Sequence, residues 1–215
     1  LALCAADYNM RGLWGRCREE SGAPAYWPWR QLLSSHFNQQ TWLSPQDEPE
    51  LAKLLPELFE TYQTAHKTTN ESAPNTTPQS QFKLFHSIVR LLSYAVQDSP
   101  LFIVFDDLHR ADQGSLSLLE FVVNELKQQA VFIIGTYRDT DLTDDHRFNH
   151  TLSEVSRLSQ FHNIPLSHIE KTSAQTWIAN TLPDLSTASI ENVIARTDGH
   201  PLYLSETIRH LQQGG

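Results

Sequence analysis

Phe82, Phe85, Ile88, Val89, Leu92 and Val96 recur at the spacing of one apolar stripe on a helix. The pattern then changes. Leu101–Asp106 reads LFIVFD, apolar at every position up to its final carboxylate, as expected of a strand buried on both faces of a parallel sheet. Ser115–Lys127 returns to helical spacing, Val131–Thr136 is a second two-faced apolar strand, and Asn149–Leu158 is helical again. Gly12–Cys17 is an earlier short strand and Phe161–Leu166 a last one. Alternating strands and helices predict an α/β fold, a parallel sheet covered on both sides. From His168 onward the pattern is only helical, over Ser173–Leu182, Ser186–Thr197 and Pro201–Gln212. We therefore expect a core domain over 1–166 and a helical piece over 167–215.

The first eighty residues are less regular. Residues 1–11 read as the tail of an alanine-rich helix, and Ser21–Trp29 (SGAPAYWPW) as a Pro-rich aromatic loop. An amphipathic helix is expected near Arg30–Asn38 and another over Pro56–His66. Lys67–Ser80 is Thr, Asn, Ser, Pro and Gln with hardly an apolar side chain, the composition of a flexible surface loop.

Charge narrows the function. The 215 residues carry 16 Lys and Arg against 25 Asp and Glu, a net charge of −9, which disfavours direct contact with nucleic acid or an anionic membrane. The apolar stretches Leu101–Phe105 and Ala130–Ile134 are far short of the ~20 residues that span a bilayer. Cys4 and Cys17 make neither a CxxC pair nor a disulfide framework, so a cytoplasmic location is expected. Eight glycines leave few loops able to cradle a phosphate.

Three segments could carry chemistry. LFIVFDDLHRAD (Leu101–Asp112) places Asp106 and Asp107 where a buried strand ends, at the carboxyl edge where open α/β sheets bind ligands. One acid could hold Mg2+ while its neighbour orients a water for attack on a phosphate; alternatively both simply end the strand and cap the next helix. Gly135-Thr-Tyr-Arg138 follows a second strand. Arg138 could pair with a terminal phosphate or form a salt bridge to Asp139 or Asp141. In RTDGHPLYLSE (Arg196–Glu206), Gly199 reads as a helix C-cap and Pro201 as a first-turn residue, a tight corner without chemistry of its own. Weaker signals are also present. His146 and His150 have zinc-ligand spacing but no third ligand; Trp27 and Trp29 could stack on a base or pack over a helix; Asn70, Asn75 and Asn149 fit a glycosylation pattern without a secretion signal.

Together SGAPAYWPWRQLL, QFKLFHSIVRLL, LFIVFDDLHRAD, IIGTYRDTDL and RTDGHPLYLSETIRHL, in this order and spacing, closely resemble the ATPase domain of STAND-class AAA+ regulators, from about Leu13 to Leu211. The resemblance implies a P-loop NTPase-type parallel sheet, strand order 5-1-4-3-2, followed by a helical lid. It implies an ATP/ADP-binding switch that hydrolyses slowly with Mg2+ and couples nucleotide state to lid position. Asp106 would be the Walker B Mg2+ ligand, Asp107 the water-positioning acid and Arg138 the sensor arginine near the γ-phosphate. Gly199 and Pro201 would be the GxP residues, the proline packing by the adenine. His109 and Asp112 match the family's DDLHWAD continuation, with Arg110 in place of tryptophan; Arg16, in a shared strand-end motif, is given no role. Partners would be a C-terminal helical-repeat sensor and an output domain (DNA-binding, cyclase or kinase) in the parent chain, with scope for nucleotide-dependent self-association. The competing reading is an interaction module that keeps the fold and turns nothing over.

One departure matters. No glycine is followed by lysine, so the family's GxxxxGK phosphate loop is absent from these residues. We expect a chain that begins just after that loop, with the sheet's first strand missing beside Val131–Thr136 and inactive alone. The ladder should then run fourth–third–second strand, with Phe161–Leu166 displaced.

Overall fold

The computed structural model describes residues 7–18, 24–37, 48–56, 77–143 and 146–213. The chain divides into two compact units, Leu1–Phe161 and His162–Gly215.

The first unit is built on three parallel strands in the order β1-β2-β3: β1 (Arg11–Arg16), β2 (Leu101–Asp106) and β3 (Val131–Gly135). The register pairs Gly15 with Phe105 and Arg16 with Asp106 on one side, and Phe105 with Gly135 on the other. This is the ladder expected of the second, third and fourth strands. Parallel neighbours need long crossovers. α1 (Trp27–Phe37), α2 (Pro49–Leu54) and α3 (Pro78–Asp98) lie between β1 and β2, and α4 (Gln113–Glu125) lies between β2 and β3. α5 (Arg147–Ser156) follows.

Alternation along the strands separates two faces. Leu13, Leu101, Ile103 and Phe105 enter the main core with Trp29, Leu32 and Leu33 of α1, Ile88, Leu91 and Leu92 of α3, and Leu116, Leu119 and Val122 of α4. The opposite face holds a small cluster, Phe102 and Val104 with Met10 and Ile134 against them. There Trp14 is 50% and Phe132 55% exposed. On this face the middle strand is buried and Trp14 and Phe132 on the flanking strands are exposed, so the expected cover is full on one face and partial on the other among the described residues. β2 has a neighbour on each side and is buried almost throughout; β3, at the sheet edge, is half-exposed although equally apolar.

Local signals set the helix limits. Thr77 caps α3, its hydroxyl accepting from the Ser80 amide at 3.3 Å, with Pro78 in the first turn. The polar stretch expected over Lys67–Ser80 thus becomes helix at Pro78, and residues 67–76 lie outside the described residues. α1 starts at Trp27, three residues before the expected Arg30, because Pro28 suits a first helical turn. The helix expected over Pro56–His66 and the alanine-rich start lie largely outside the described residues.

Phe161–Leu166 is not a strand: it has no ladder partner, and Ile164 is 75% and Leu166 93% exposed. Phe161 and Ile164, three apart, would face opposite sides of a strand, and Pro165 removes a ladder donor. The second unit packs α6 (Lys171–Thr181), α7 (Thr187–Thr197) and α8 (Pro201–Gln212). Each helix gives one i,i+4 pair to its core: Ala174 and Ile178, Ile190 and Ile194, Leu204 and Ile208.

Candidate functional site

Asp106 ends β2, and the chain turns at once. Asp107 adopts left-handed backbone (φ 59°, ψ 47°), a conformation aspartate tolerates better than most residues. The segment after β3 holds that turn. The Thr136 hydroxyl donates to Asp106 Oδ1 at 2.7 Å and accepts from the Asp107 amide at 3.0 Å. The Leu108 amide donates to the Thr136 carbonyl at 2.7 Å, and the Thr136 amide to the Phe105 carbonyl at 2.9 Å. One threonine therefore laces both acids to the neighbouring strand. The Cys17 amide fixes the other side, donating to the Asp106 carbonyl at 2.8 Å.

Arg16, opposite Asp106 in the ladder, reaches both acids. Its Nε lies 3.9 Å from Asp106 Oδ2 and a terminal nitrogen 3.6 Å from Asp107 Oδ2. Neither Arg16 nor Thr136 was singled out by their sequence context. The contacts cross strands separated by up to ninety positions, so only the register reveals them. Cys17, buried next to this cluster, has its thiol pushed up from 9.0 to about 12, first by burial and then by the charges of Asp112, Asp107 and Asp106.

Arg138 follows the same edge and is exposed. Its guanidinium forms no ion pair among the described residues; Asp141 pairs instead with buried His109, Oδ2 to Nε2 at 3.3 Å. The Arg138 amide donates to His109 Nδ1 at 3.4 Å, which puts the proton of the neutral ring on Nε2, toward Asp141. That tautomer has no lone pair for Arg110 Nε, 3.3 Å from the same nitrogen, so we read this as a close approach rather than a hydrogen bond. His109 thus ties the turn after β2 to the turn that carries Arg138.

Other candidates are structural. Asp112 caps α4, accepting from the Ser115 amide at 2.9 Å and hydroxyl at 2.6 Å. Trp29 is fully buried, packs its ring at a tilt against Phe105 with centroids 4.8 Å apart and donates from its indole to the Ser115 carbonyl at 3.1 Å. It is therefore core, not a base platform. His146 caps α5 by accepting from the Phe148 amide at 3.2 Å, and His150 faces Glu120 at 3.5 Å. Among the described residues no three metal-type ligands cluster.

Gly199 and Pro201 belong to the second unit. Asp198 (φ 48°) and Gly199 (φ 66°) both turn left-handed, so the α7 cap is the pair and not Gly199 alone. A Cβ at Gly199 would collide with the Ile169 carbonyl, and the Gly199 carbonyl accepts from the Ile169 amide at 2.9 Å. Pro201 opens α8, exposed. The His200 ring beside it packs between His168 and Tyr203.

What the first unit offers is a carboxylate pair at the carboxyl edge of a parallel sheet, with Arg16 and Thr136 in contact with it and Arg138 on the segment after β3. One oxygen of Asp106 is committed to Thr136, and the other, Oδ2, lies no nearer than 3.9 Å to Arg16. A partly exposed carboxylate oxygen of this kind suits a hard cation such as Mg2+. No helix among the described residues is long and apolar enough to cross a membrane. No curated protein and no solved structure matches the chain. The sequence model of the AAA ATPase domain family matches residues 2–134, a span that includes β1, β2, both acids and β3 as far as Ile134. With more than half its length matched, and with the parallel ladder and edge acids in place, the chain belongs to the AAA ATPase domain family.

Proposed function

We propose that this nucleotide-binding ATPase domain works as a slow switch of the STAND type, its helical second unit serving as a nucleotide-sensing lid. The observation that carries the reading is the lacing of Asp106 and Asp107 to Thr136, which fixes the Asp106 carboxylate and the Asp107 backbone at the carboxyl edge of the sheet. In the proposed division of roles, Asp106 holds Mg2+ through Oδ2. The bound ion would neutralise charge on the phosphoryl oxygens. Asp107, whose backbone is fixed by Thr136, orients the attacking water. Arg138, with no ion pair among the described residues, offers its guanidinium to the terminal phosphate. Gly199 and Pro201 would lie by the base, and the lid would pass the nucleotide state to a sensor and an output domain beyond it.

The experiment is phosphate release by the full-length parent chain. Asp107→Asn lowers turnover at least tenfold, on the order of 1.4 kcal/mol in the barrier, and Arg138→Ala also lowers it. A second reading, a non-hydrolysing interaction module, is favoured by the exposed aromatic pair Trp14 and Phe132 on the open sheet face. Equal phosphate release by wild type and Asp107→Asn decides for that module.

A further inference from the structure

We propose that Arg16 is the resident counter-cation of the acid pair and competes with Mg2+ for Asp106, so that loading the metal requires Arg16 to swing away. The inference rests on the reading of Asp106 as the metal ligand.

Two adjacent carboxylates at one sheet edge repel each other and attract any cation. Among the described residues Arg16 is the one cation in ion-pair contact with them, and it touches both. The contacts, 3.6 and 3.9 Å, are longer than the roughly 2.7–2.9 Å of a charge-assisted hydrogen bond. The guanidinium therefore spans the pair without gripping either acid. It also contacts Oδ2 of Asp106, the oxygen that Thr136 leaves open. A metal approaching that oxygen meets Arg16 first.

The anchorage of Arg16 fits a side chain that moves on a fixed base. The Arg16 amide donates to Gln31 Oε1 at 3.4 Å, and Gln31 Nε2 donates to the Arg16 carbonyl at 2.9 Å. One amide from α1 thus clamps both polar backbone groups of Arg16, while the next residue's amide is bound to the Asp106 carbonyl. The side chain itself is 57% exposed, against 32% for Asp106 and 18% for Asp107. It lies over the acids from the solvent side, where it can leave without disturbing the strand.

The test is a titration of the full chain, without nucleotide, with Mn2+, which shares the carboxylate preference of Mg2+ and is read by the electron paramagnetic resonance of the free ion. Arg16→Gln removes the charge and binds Mn2+ roughly two- to fivefold tighter, as expected for losing a competing exposed cation. Arg16→Lys keeps the charge and stays near wild type. Asp106→Asn in the Arg16→Gln background abolishes the site. Equal or weaker binding by Arg16→Gln overturns the competition and leaves the metal reading standing. If neither wild type nor Arg16→Gln shows a site that Asp106→Asn removes, the metal reading fails and the inference with it.

Discussion

Thr136 shows how much a single side chain settles at this edge. Its hydroxyl donates to one acid and accepts from the backbone of the next, so Thr136→Val removes both bonds at nearly constant volume. The expected loss of stability is about 1–2 kcal/mol, with a larger fall in phosphate release, whereas Thr136→Ser restores both; urea denaturation and a turnover assay check the pair. Cys17 gives a pH prediction. Its thiol is raised from 9.0 to about 12 by burial and nearby carboxylates. Below pH 9 it is protonated in folded and unfolded chains alike, and its contribution is intact. Between pH 9 and about 12 the unfolded chain loses the proton and the folded one keeps it, so stability falls as pH rises. Denaturation midpoints across that window fall less steeply in Cys17→Ala. The acids were legible residue by residue because a buried strand ending in Asp-Asp can place them only at its carboxyl edge. Thr136 and Arg16 were not, because their meaning lies in a neighbouring strand.

At the scale of elements, β2 has a glycine in register on each side: Gly15 and Gly135 both pair with Phe105. The two serve different neighbours. A Cβ at Gly15 would collide with the backbone carbonyl of Pro28, where α1 begins, and one at Gly135 with the side chain of Leu108. Backbone yields less than a leucine rotamer. Gly15→Ala is therefore expected to cost more than Gly135→Ala, within the roughly 1–3 kcal/mol typical of overpacking, as measured by chemical denaturation of the two variants. The strands were legible because unbroken apolar runs bounded by polar residues have few alternatives. β2 falls on the residues expected, and β1 and β3 within one residue of them. The start of α1 was not, since SGAPAYWPW has loop composition while Pro28 and Trp29 fit a first turn packed on Phe105. Phe161–Leu166 misled for the opposite reason: its scattered apolar residues are a local feature, and strand formation is not.

Across the whole molecule, the sheet is asymmetric. Among the described residues β2 is paired on both sides and buried, while β3 is paired on one side, half-exposed, and carries Phe132 into solvent. Backbone amides of β2 should outlast those of β3 in hydrogen exchange by at least tenfold; equal protection would mean that the open edge of β3 is covered in solution. The family assignment rests on the first unit, where the match lies, and the switch reading adds the second unit as a lid. Everything proposed for this chain depends on the acid pair treating metal and water differently. The most direct measurement is equilibrium binding of ATP to the full-length parent chain with and without Mg2+, for Asp106→Ala and Asp107→Asn side by side. The account predicts that Asp106→Ala abolishes the Mg2+-dependent part of binding while Asp107→Asn keeps it nearly intact. Two variants that bind alike would contradict it.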